Sequence, residues 1–593
     1  MEETKITTGG EFLVKDAQAN DIFIPEDANE EQKMIVQTVK DFLEAEIYPN
    51  FDKIDAQEEG LMKSLLKKSG ELGLLGISVP EEYEGFDQSF VTSMLTNEAI
   101  GSGFSFSVAF MAHTGIGTLP ILYYGNEEQR QKYVPPLATG EKLAAYCLTE
   151  PGAGSDANSG RTKAVLSEDG KYYILNGQKM WITNGGFADV LTVFAKIDND
   201  RILSAFIVDS DLEGITMNPE EKKMGIKGSS TRQIFFNDVK VPVENLLGKR
   251  GSGFRIALNI LHIGRLKLGV NVVGFMKSNI EHAVIYSNER KQFGQLISNF
   301  GAIKYKLAEQ VIKVFTTESA VYRASKDIEN KIDEIVAKGE EKGIAIVEAS
   351  AQFAVECALT KVLGSEALDY VVDESMQICG GMGFSSEMHV EKAYRDSRIN
   401  RIFEGTNEIN RMIIIDTAIK DSQKGKFDLL EKADEIIQNI DNVSEEKATE
   451  GYFEEKLFFI KNFKKATLML ITASYKFFKR KLSSEQQIMQ NLSDMMIPLY
   501  ASESTMLRVE KLEKMKGEKE ISIYKDILDV FVYDSASIIR KAGADAINSM
   551  EGNEDNEKLT KALEIFTKLA PVNVKEARKR IADKIIDDNM YKF

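Results

Sequence analysis

The chain is poor in the residues from which metal centres and disulfide frameworks are built. Among 593 residues there are three cysteines and four histidines. Cys147, Cys357 and Cys379 are widely spaced and form no CxxC pair, which gives neither a disulfide framework nor a zinc site and fits a reducing compartment. His113, His262, His282 and His389 show no HExxH or other ligand spacing, so no metal is expected. Positive charge is also short. A net charge of −18 argues against sequence-independent nucleic-acid binding, which needs clustered Lys and Arg, although a local basic pocket remains open to it. No stretch approaches the roughly 18 uninterrupted apolar residues of a membrane span. The opening MEETKITTGGEFLV has no basic region followed by an apolar run, so no signal peptide and a cytoplasmic location are expected. No GxGxxG follows a strand and no GxxxxGK[ST] occurs, so any nucleotide must be held in another way.

What is present is an ordinary globular composition, 43% hydrophobic and 28% charged, in a chain too long for one core. Residues 1–27 read as an N-terminal extension. In an α-helical domain over 28–144, Ile35, Val36, Val39, Phe42, Leu43 and Ile47 recur at helical spacing. Helices follow over 58–75, 88–102 and 126–137, with breaks expected at Gly70, Pro80, Gly85 and Pro135. A β domain over 145–250 is marked by TKAVLSEDGKYYILNG and ADVLTVFAKIDNDRILSAFIVD, each two strands around a turn. Helical periodicity returns over 251–425, near 256–290, 301–329, 342–364 and 366–379, and continues as an additional helical domain over 426–593. The order α, β, α without βαβ alternation excludes a doubly wound sheet and gives an α+β multidomain protein. The basic, Phe-rich stretch 456–481 has two readings: a membrane-surface or partner-binding helix, or a core helix whose lysines snorkel at its edges.

Three segments carry residues with a chemical task. In Tyr146-Cys147-Leu148-Thr149-Glu150-Pro151-Gly152-Ala153-Gly154-Ser155-Asp156, glycines allow close backbone approach to a ligand, and Thr149 and Ser155 add hydroxyls; a plain tight turn has the same composition. Lys179-Met180-Trp181-Ile182-Thr183-Asn184-Gly185-Gly186 holds the only tryptophan, suited to shielding a planar cofactor and equally to a core. In Arg398-Ile399-Asn400-Arg401-Ile402-Phe403-Glu404-Gly405-Thr406-Asn407-Glu408-Ile409, a carboxylate precedes a helix start with Thr406 or Asn407 as N-cap. Glu404 either points into a cleft or pairs with a nearby arginine.

Together with Gln377-Ile378-Cys379-Gly380-Gly381-Met382-Gly383-Phe384, these segments resemble the acyl-CoA dehydrogenase family in order and approximate spacing, over about residues 28–425 and more loosely beyond, toward the long-chain and very-long-chain branch. The resemblance implies an N-terminal helical domain, a middle β-barrel-like domain, a C-terminal four-helix bundle and an extra C-terminal helical domain. It implies FAD, with Tyr146, Leu148, Thr149, Gly154 and Ser155 lining the flavin and the acyl-CoA entrance, and Trp181 and Thr183 against the ring. Arg290 and Phe293 match residues that hold FAD across a subunit interface. Gln377 and Gly381 match contacts to its adenosine half, and Thr406 and Glu408 match contacts beside the base. Arg265 and Ser155 match substrate-side positions. Glu404 matches the catalytic base; the alternative position used by some members is Gly264 here, which cannot act as one.

The reaction implied is α,β-dehydrogenation of a fatty acyl thioester to the trans-2-enoyl-CoA, with electrons passed to electron-transfer flavoprotein. The base is expected to be tuned above an ordinary carboxylate by burial. Val108 and Ala112, in Ser107-Val108-Ala109-Phe110-Met111-Ala112, fall where the medium-chain enzyme has larger polar side chains, so a long chain of about C14–C18 is expected, each buried CH₂ being worth about 0.8 kcal/mol. The extra domain implies a homodimer, and the branch's membrane association keeps 456–481 in view. The nearest rival is an acyl-CoA oxidase, reoxidised by O₂; a DNA-binding relative would want a basic C-terminal surface.

Overall fold

The structure, a computed structural model, describes residues 6–445, 448 and 450–593; the first five residues of the opening stretch lie outside it. The chain forms two compact units. One comprises 28–267 and 332–351, the other 1–27, 268–331 and 352–593. The five segments read from the sequence are distributed over these two.

The first unit joins a helical layer to a sheet. Its helices include Glu30–Phe42, Leu61–Glu71, Phe90–Ala99, Ser105–Met111 and Glu127–Ala138. Asn29 and Asn126 start two of them with full capping boxes, each reciprocating with a Gln at the third helical position. Val39, Leu43, Leu66, Phe106 and Ala109 make their common core. The strands are β1 (Ala144–Cys147), β2 (Lys163–Leu166), β3 (Tyr172–Thr183), β4 (Val190–Ile197), β5 (Ser204–Asp209), β6 (Ile215–Met217), β7 (Thr231–Pro242) and β8 (Leu246–Leu247). They form one mixed sheet in the order β6-β7-β3-β2-β4-β5-β8, with β1 also on β4. β1 and β2 run parallel to β4 and the other pairs are antiparallel. β4 is buried along almost its whole length, as a strand covered on both faces must be.

One of two expected breaks is displaced. At Gly70 the expected break is present, since the helix Leu61–Glu71 ends one residue later, and the glycine also admits the Thr139 carbonyl, which a Cβ would strike. Pro135 and Pro136 lie inside Glu127–Ala138, one turn from its end, because the burial of Tyr133, Val134 and Leu137 outweighs the lost backbone bonds.

The second unit is helical. It contains the C-terminal part of the helix Gly253–Glu289, most of Gly301–Ala337, and Ala354–Cys379 and Asn407–Gln423, followed by Leu429–Gln438, Tyr452–Phe478, Gln486–Lys516, Ser522–Asn548, Asn556–Phe566 and Val574–Asp588. The interruption expected near 365 falls at Phe353 instead. Gly364 sits mid-helix against the backbone of Gly269, so the glycine marks a helix crossing. A hairpin, β9 (Lys291–Gln292) with β10 (Gln295–Leu296), leaves the end of Gly253–Glu289. Among the described residues, two unbent helical segments have the length and apolarity of membrane spans, Ser105–Tyr124 and Gly253–Glu289; 78% and 72% of their apolar windows are buried within the protein, which is the signature of core helices.

The basic helix Tyr452–Phe478 is largely interior. Phe459, Phe463, Leu468 and Ile471 are buried, and so are Lys456 and Lys464 through ion pairs to Asp529 and Glu503. Its surface-facing end is Lys476-Phe477-Phe478-Lys479-Arg480-Lys481. Residues 6–27 are not a loose extension. Phe12, Leu13 and Ile24 are buried, Arg508 pairs with Glu26 and Glu318, Lys464 with Asp16, and Lys511 with Asp27. The Gly10 N–H donates to the fully buried Glu356 at 2.8 Å.

Burial pushes the Glu356 carboxyl up to about 8, the Gly10 N–H only partly offsetting it, and Asp327, on the neighbouring helix, up to about 7, where Arg323 is the partial offset. Both carboxyls therefore hold protons more tightly folded than unfolded. Their stabilisation is complete below the ordinary carboxylate pKa and is lost as pH rises through the folded value. Thermal melting of the protein is expected to fall as pH rises toward 8, and Glu356→Gln to make that fall shallower, leaving the part that belongs to Asp327. Parallel melting curves for the two proteins across this range would contradict it.

Candidate functional site

In the first unit the glycine-rich segment follows β1 directly. The side chains of Tyr146 and Leu148 are buried, the Tyr146 ring packing edge-on against Phe194, so these two residues present backbone rather than side chain. Thr149 is half-buried, and Gly154 and Ser155 are exposed. A Cβ at Gly152 or Gly154 would meet nothing within 4 Å, leaving open space over this turn.

β3 passes beside that turn, with the Met180 N–H donating to the Thr149 carbonyl at 3.0 Å. The pairing of β3 with β7 slips between Lys179 and Ile182. At this bulge Trp181 takes a left-handed backbone, φ +59°, and its indole is 53% exposed. A bulky residue in that region is strained and its exposure loses apolar burial, so two costs are borne to project one ring. Thr183 lies half-buried two residues on. Asn184, also left-handed at φ +63°, closes the bulge: its amide donates to the Ala109 carbonyl at 2.9 Å.

That bond ties the Trp181 bulge to the helix of Val108 and Ala112. Here Ser105–Met111 widens into a π-helical turn, Ala112–Gly117. His113 in this turn takes the Ala144 N–H on Nδ1 at 3.0 Å and faces the Leu137 carbonyl with Nε2 at 2.9 Å. Burial pushes it down to about 4, so it is neutral and a fixed tautomer at neutral pH. Val108 is half-buried and Ala112 buried. Arg265 is buried on Gly253–Glu289, its guanidinium 3.2 Å from His262 Nδ1. Desolvation and the Arg265 charge drive His262 down to about 3, which leaves it the acceptor.

In the second unit Glu404 has φ +58° and Gly405 φ +83°. The turn they form is held from behind. Lys361, fully buried on Ala354–Cys379, donates to the Gly405 carbonyl at 2.9 Å and to Asn407 Oδ1 at 2.7 Å. The Asn410 amide donates to the carbonyls of Gly405 and Thr406 at 2.8 and 3.0 Å. Thr406 is the N-cap of Asn407–Gln423, accepting from Ile409 N–H. Glu408, in that first turn, is held below its usual range, chiefly by its own N–H. Of the arginines around it, Arg401 pairs with Asp369 and Arg411 with Glu366 and Asp494.

Arg290 and Phe293 are exposed at the hairpin β9–β10. Phe293 occupies a left-handed turn position, φ +52°, with its ring 95% exposed. Gln377 and Gly381 are exposed at the end of Ala354–Cys379. The turn residues Glu404, Thr406 and Glu408 thus stand together in one unit, and Leu148, Thr149, Trp181 and Thr183 in the other. Sequence reasoning missed their supports: Lys179, Glu150 and Asn184 lie inside quoted motifs, whereas Lys361 and Asn410 gave no signal beyond helical position.

The chain was compared with known proteins. Models described as acyl-CoA dehydrogenase N-terminal, middle and C-terminal domains match residues 29–141, 145–239 and 251–419, and a second C-terminal-domain model matches 462–565. A Bacillus subtilis (strain 168) protein named "Probable acyl-CoA dehydrogenase" is 42% identical over 586 residues, 99% of this chain and 98% of the relative. The human mitochondrial very long-chain specific acyl-CoA dehydrogenase is 42% identical over 405 residues, 66% of this chain and 58% of its own length. The crystal structure of a Bacillus anthracis acyl-CoA dehydrogenase complexed with FAD superposes with TM-score 0.96 at 42% identity, covering 99% of this chain and all of that one. The residues present here fit that cofactor: an exposed indole for a planar ring, threonine and serine hydroxyls beside it, and an open glycine turn.

A left-handed backbone costs a non-glycine residue about 1–2 kcal/mol. Glu404→Gly is therefore expected to keep or raise thermal stability, by up to ~1 kcal/mol after the added chain entropy, while abolishing function. A marked loss of stability would show that the carboxylate holds the fold together.

Proposed function

From the premise that the chain belongs to the acyl-CoA dehydrogenase family of FAD-dependent oxidoreductases, we propose that it dehydrogenates long-chain fatty acyl-CoA in β-oxidation, with Glu404 as the base. The observation that carries this reading is the geometry of Glu404: a strained carboxylate on a turn braced by Lys361 and Asn410. Strain maintained by buried supports belongs to a residue selected for its chemistry. Glu404 removes the Cα proton, and its fixed turn spares the carboxylate reorganisation as charge moves. Bound FAD supplies the acceptor for the two electrons that leave with the Cβ hydrogen. Thr149, Ser155, Trp181 and Thr183 orient the cofactor, as do Arg290, Phe293, Gln377, Gly381 and Thr406; Arg265 lies on the substrate side.

The small apolar pair Val108 and Ala112 leaves the acyl end unplugged, which supports a long chain. Electron-transfer flavoprotein is the acceptor in this reading, the protein is cytoplasmic, and it is a homodimer. The nearly bare Phe293 ring beside Arg290 supports the dimer, because an aromatic ring projected by a strained turn gains most when a partner covers it. Any membrane contact falls to the Lys476–Lys481 end, since most of Tyr452–Phe478 is interior.

Anaerobic titration of the yellow protein with palmitoyl-CoA is expected to bleach the visible flavin band until electron-transfer flavoprotein is added. Glu404→Gln is expected to retain FAD and to fail to bleach; near-normal turnover in that variant would remove Glu404 from the role. Val108→Gln is expected to lower kcat/KM for palmitoyl-CoA by about tenfold or more, from the apolar contact it displaces, with octanoyl-CoA little changed. An equal loss for both substrates would show that Val108 does not set chain length.

A further inference from the structure

Behind the turn that carries Thr149 lies an ion pair with no assigned task. Lys179 is fully buried, and its ammonium is 2.6 Å from Glu150 Oε1. The same ammonium donates to the Leu148 carbonyl at 3.2 Å. Glu150 is also buried and is held from its other side, its carboxylate accepting from Arg161 N–H at 2.6 Å and Thr162 N–H at 3.1 Å. The carboxylate is thus a fixed anchor, and the ammonium stands between it and one backbone carbonyl.

The Leu148 carbonyl and the Thr149 N–H belong to one peptide plane and, in a trans peptide, point to opposite sides. Drawing the carbonyl inward to Lys179 turns the Thr149 N–H outward. Among the described residues that N–H has no hydrogen-bond acceptor. The next carbonyl along, that of Thr149, is taken by Met180 N–H, so both peptide planes flanking Thr149 are set by residues 179 and 180 of β3. The same two residues lead into the bulge that projects Trp181.

We propose that Lys179, anchored by Glu150, is the positioning residue of the flavin site: it holds the Leu148–Thr149 peptide so that the Thr149 N–H faces the cofactor, and it fixes β3 immediately before Trp181. The proposal rests on the reading of Thr149 and Trp181 as flavin contacts. A hydrophobic pair would pack this core at no loss of stability, and removing a buried pair as a unit is often neutral. A charged pair kept here is explained by what its ammonium binds.

The pair also makes a specific signature available. Desolvation already lowers the affinity of Lys179 for its proton, and Glu150 is what opposes this. In Glu150→Gln the ammonium loses that support, and its pKa falls further because desolvation is then unopposed by the carboxylate. Lys179 is charged below that pKa and neutral above it, and only the charged form holds the carbonyl firmly. Other titratable groups are few: Cys147 is the nearest, and burial keeps its thiol protonated up to about 12.

The experiment uses the full-length protein, stripped of FAD and reconstituted, with FAD affinity and the flavin absorption bands followed against pH. In Glu150→Gln, FAD affinity is expected to weaken severalfold as pH rises through the Lys179 pKa, with a matching band shift, while the native protein stays flat. In Glu150→Gln/Lys179→Met, which leaves no buried charge, affinity is expected to be about tenfold weaker at every pH, the equivalent of one lost hydrogen bond, and the titration to vanish. A double variant that binds FAD within twofold of native with unshifted bands overturns the proposal. So does a Glu150→Gln profile parallel to native, which also decides the matter should the double variant not fold. A native protein that binds no FAD at all would instead overturn the reading of Thr149 and Trp181 as flavin contacts, so the two failures are distinct.

Discussion

Lys179 and Lys361 lie in different units, yet both are fully buried and each gives its ammonium to the carbonyl of a chemically important turn, Leu148 in one case and Gly405 in the other. Taking an ammonium out of water costs several kcal/mol, recovered only when every proton finds an oxygen in good geometry. That demand makes the bond a strict constraint. A surface lysine would tolerate movement of the turn it touches; a buried one loses its compensation if the carbonyl shifts. The turns bearing Thr149 and Glu404 are rigid because the alternative is an unsolvated charge.

Rigidity is needed because the positions in front of these lysines are strained. Trp181, Asn184 and Glu404 all have positive φ, and none is a glycine. Each would relax if released. Trp181 is held between the Lys179 anchor and the Asn184–Ala109 bond, and Glu404 between the Lys361 bond and the Asn410 clamp. The arrangement is the usual exchange of stability for position: a backbone cost at the strained residue is offset by hydrogen bonds made just behind it. The link from Asn184 to Ala109 extends the constraint further, since Val108 and Ala112 share that helix and its π-turn. Within the first unit, the Trp181 bulge and the helix Ser105–Met111 cannot move independently.

The legibility of these features in the sequence follows from how local each one is. Strand pairs around Asp169-Gly170 and Asn199-Asp200 were plain because alternation and turn residues are local signals, and the helix start at Thr406 was plain for the same reason. Pro135 misled because its meaning is tertiary: it is tolerated inside its helix by the burial around it. Lys179 and Glu150 stood in full view inside two motifs but 29 residues apart, and nothing in either motif says that they meet. Residues 6–27 looked like an extension because their partners, Glu356, Lys464 and Arg508, are hundreds of residues away. The strain at Trp181 and Glu404 was invisible for a deeper reason: a residue in a disfavoured conformation is one whose own preference has been overruled.

The ionic groups around the N-terminal segment obey the same rule on a larger scale. Arg323 and Arg508 are buried, each in contact with a carboxylate and an aromatic face: Glu503 and Tyr500 for the first, Glu318 and Phe315 for the second. Such pairs add little net stability, because desolvation consumes most of what the Coulomb attraction returns. They add selectivity. A segment with Asp16, Glu26 and Asp27 in the right order pairs with Lys464, Arg508 and Lys511, and a shifted or foreign segment leaves the first two with only Glu503 and Glu318 and takes Asp27 from Lys511. Hydrophobic contact through Phe12, Leu13 and Ile24 supplies attraction without register, since apolar surfaces slide. The charges supply the register, and this division of labour explains why so many are spent in the interior of an otherwise ordinary helical unit.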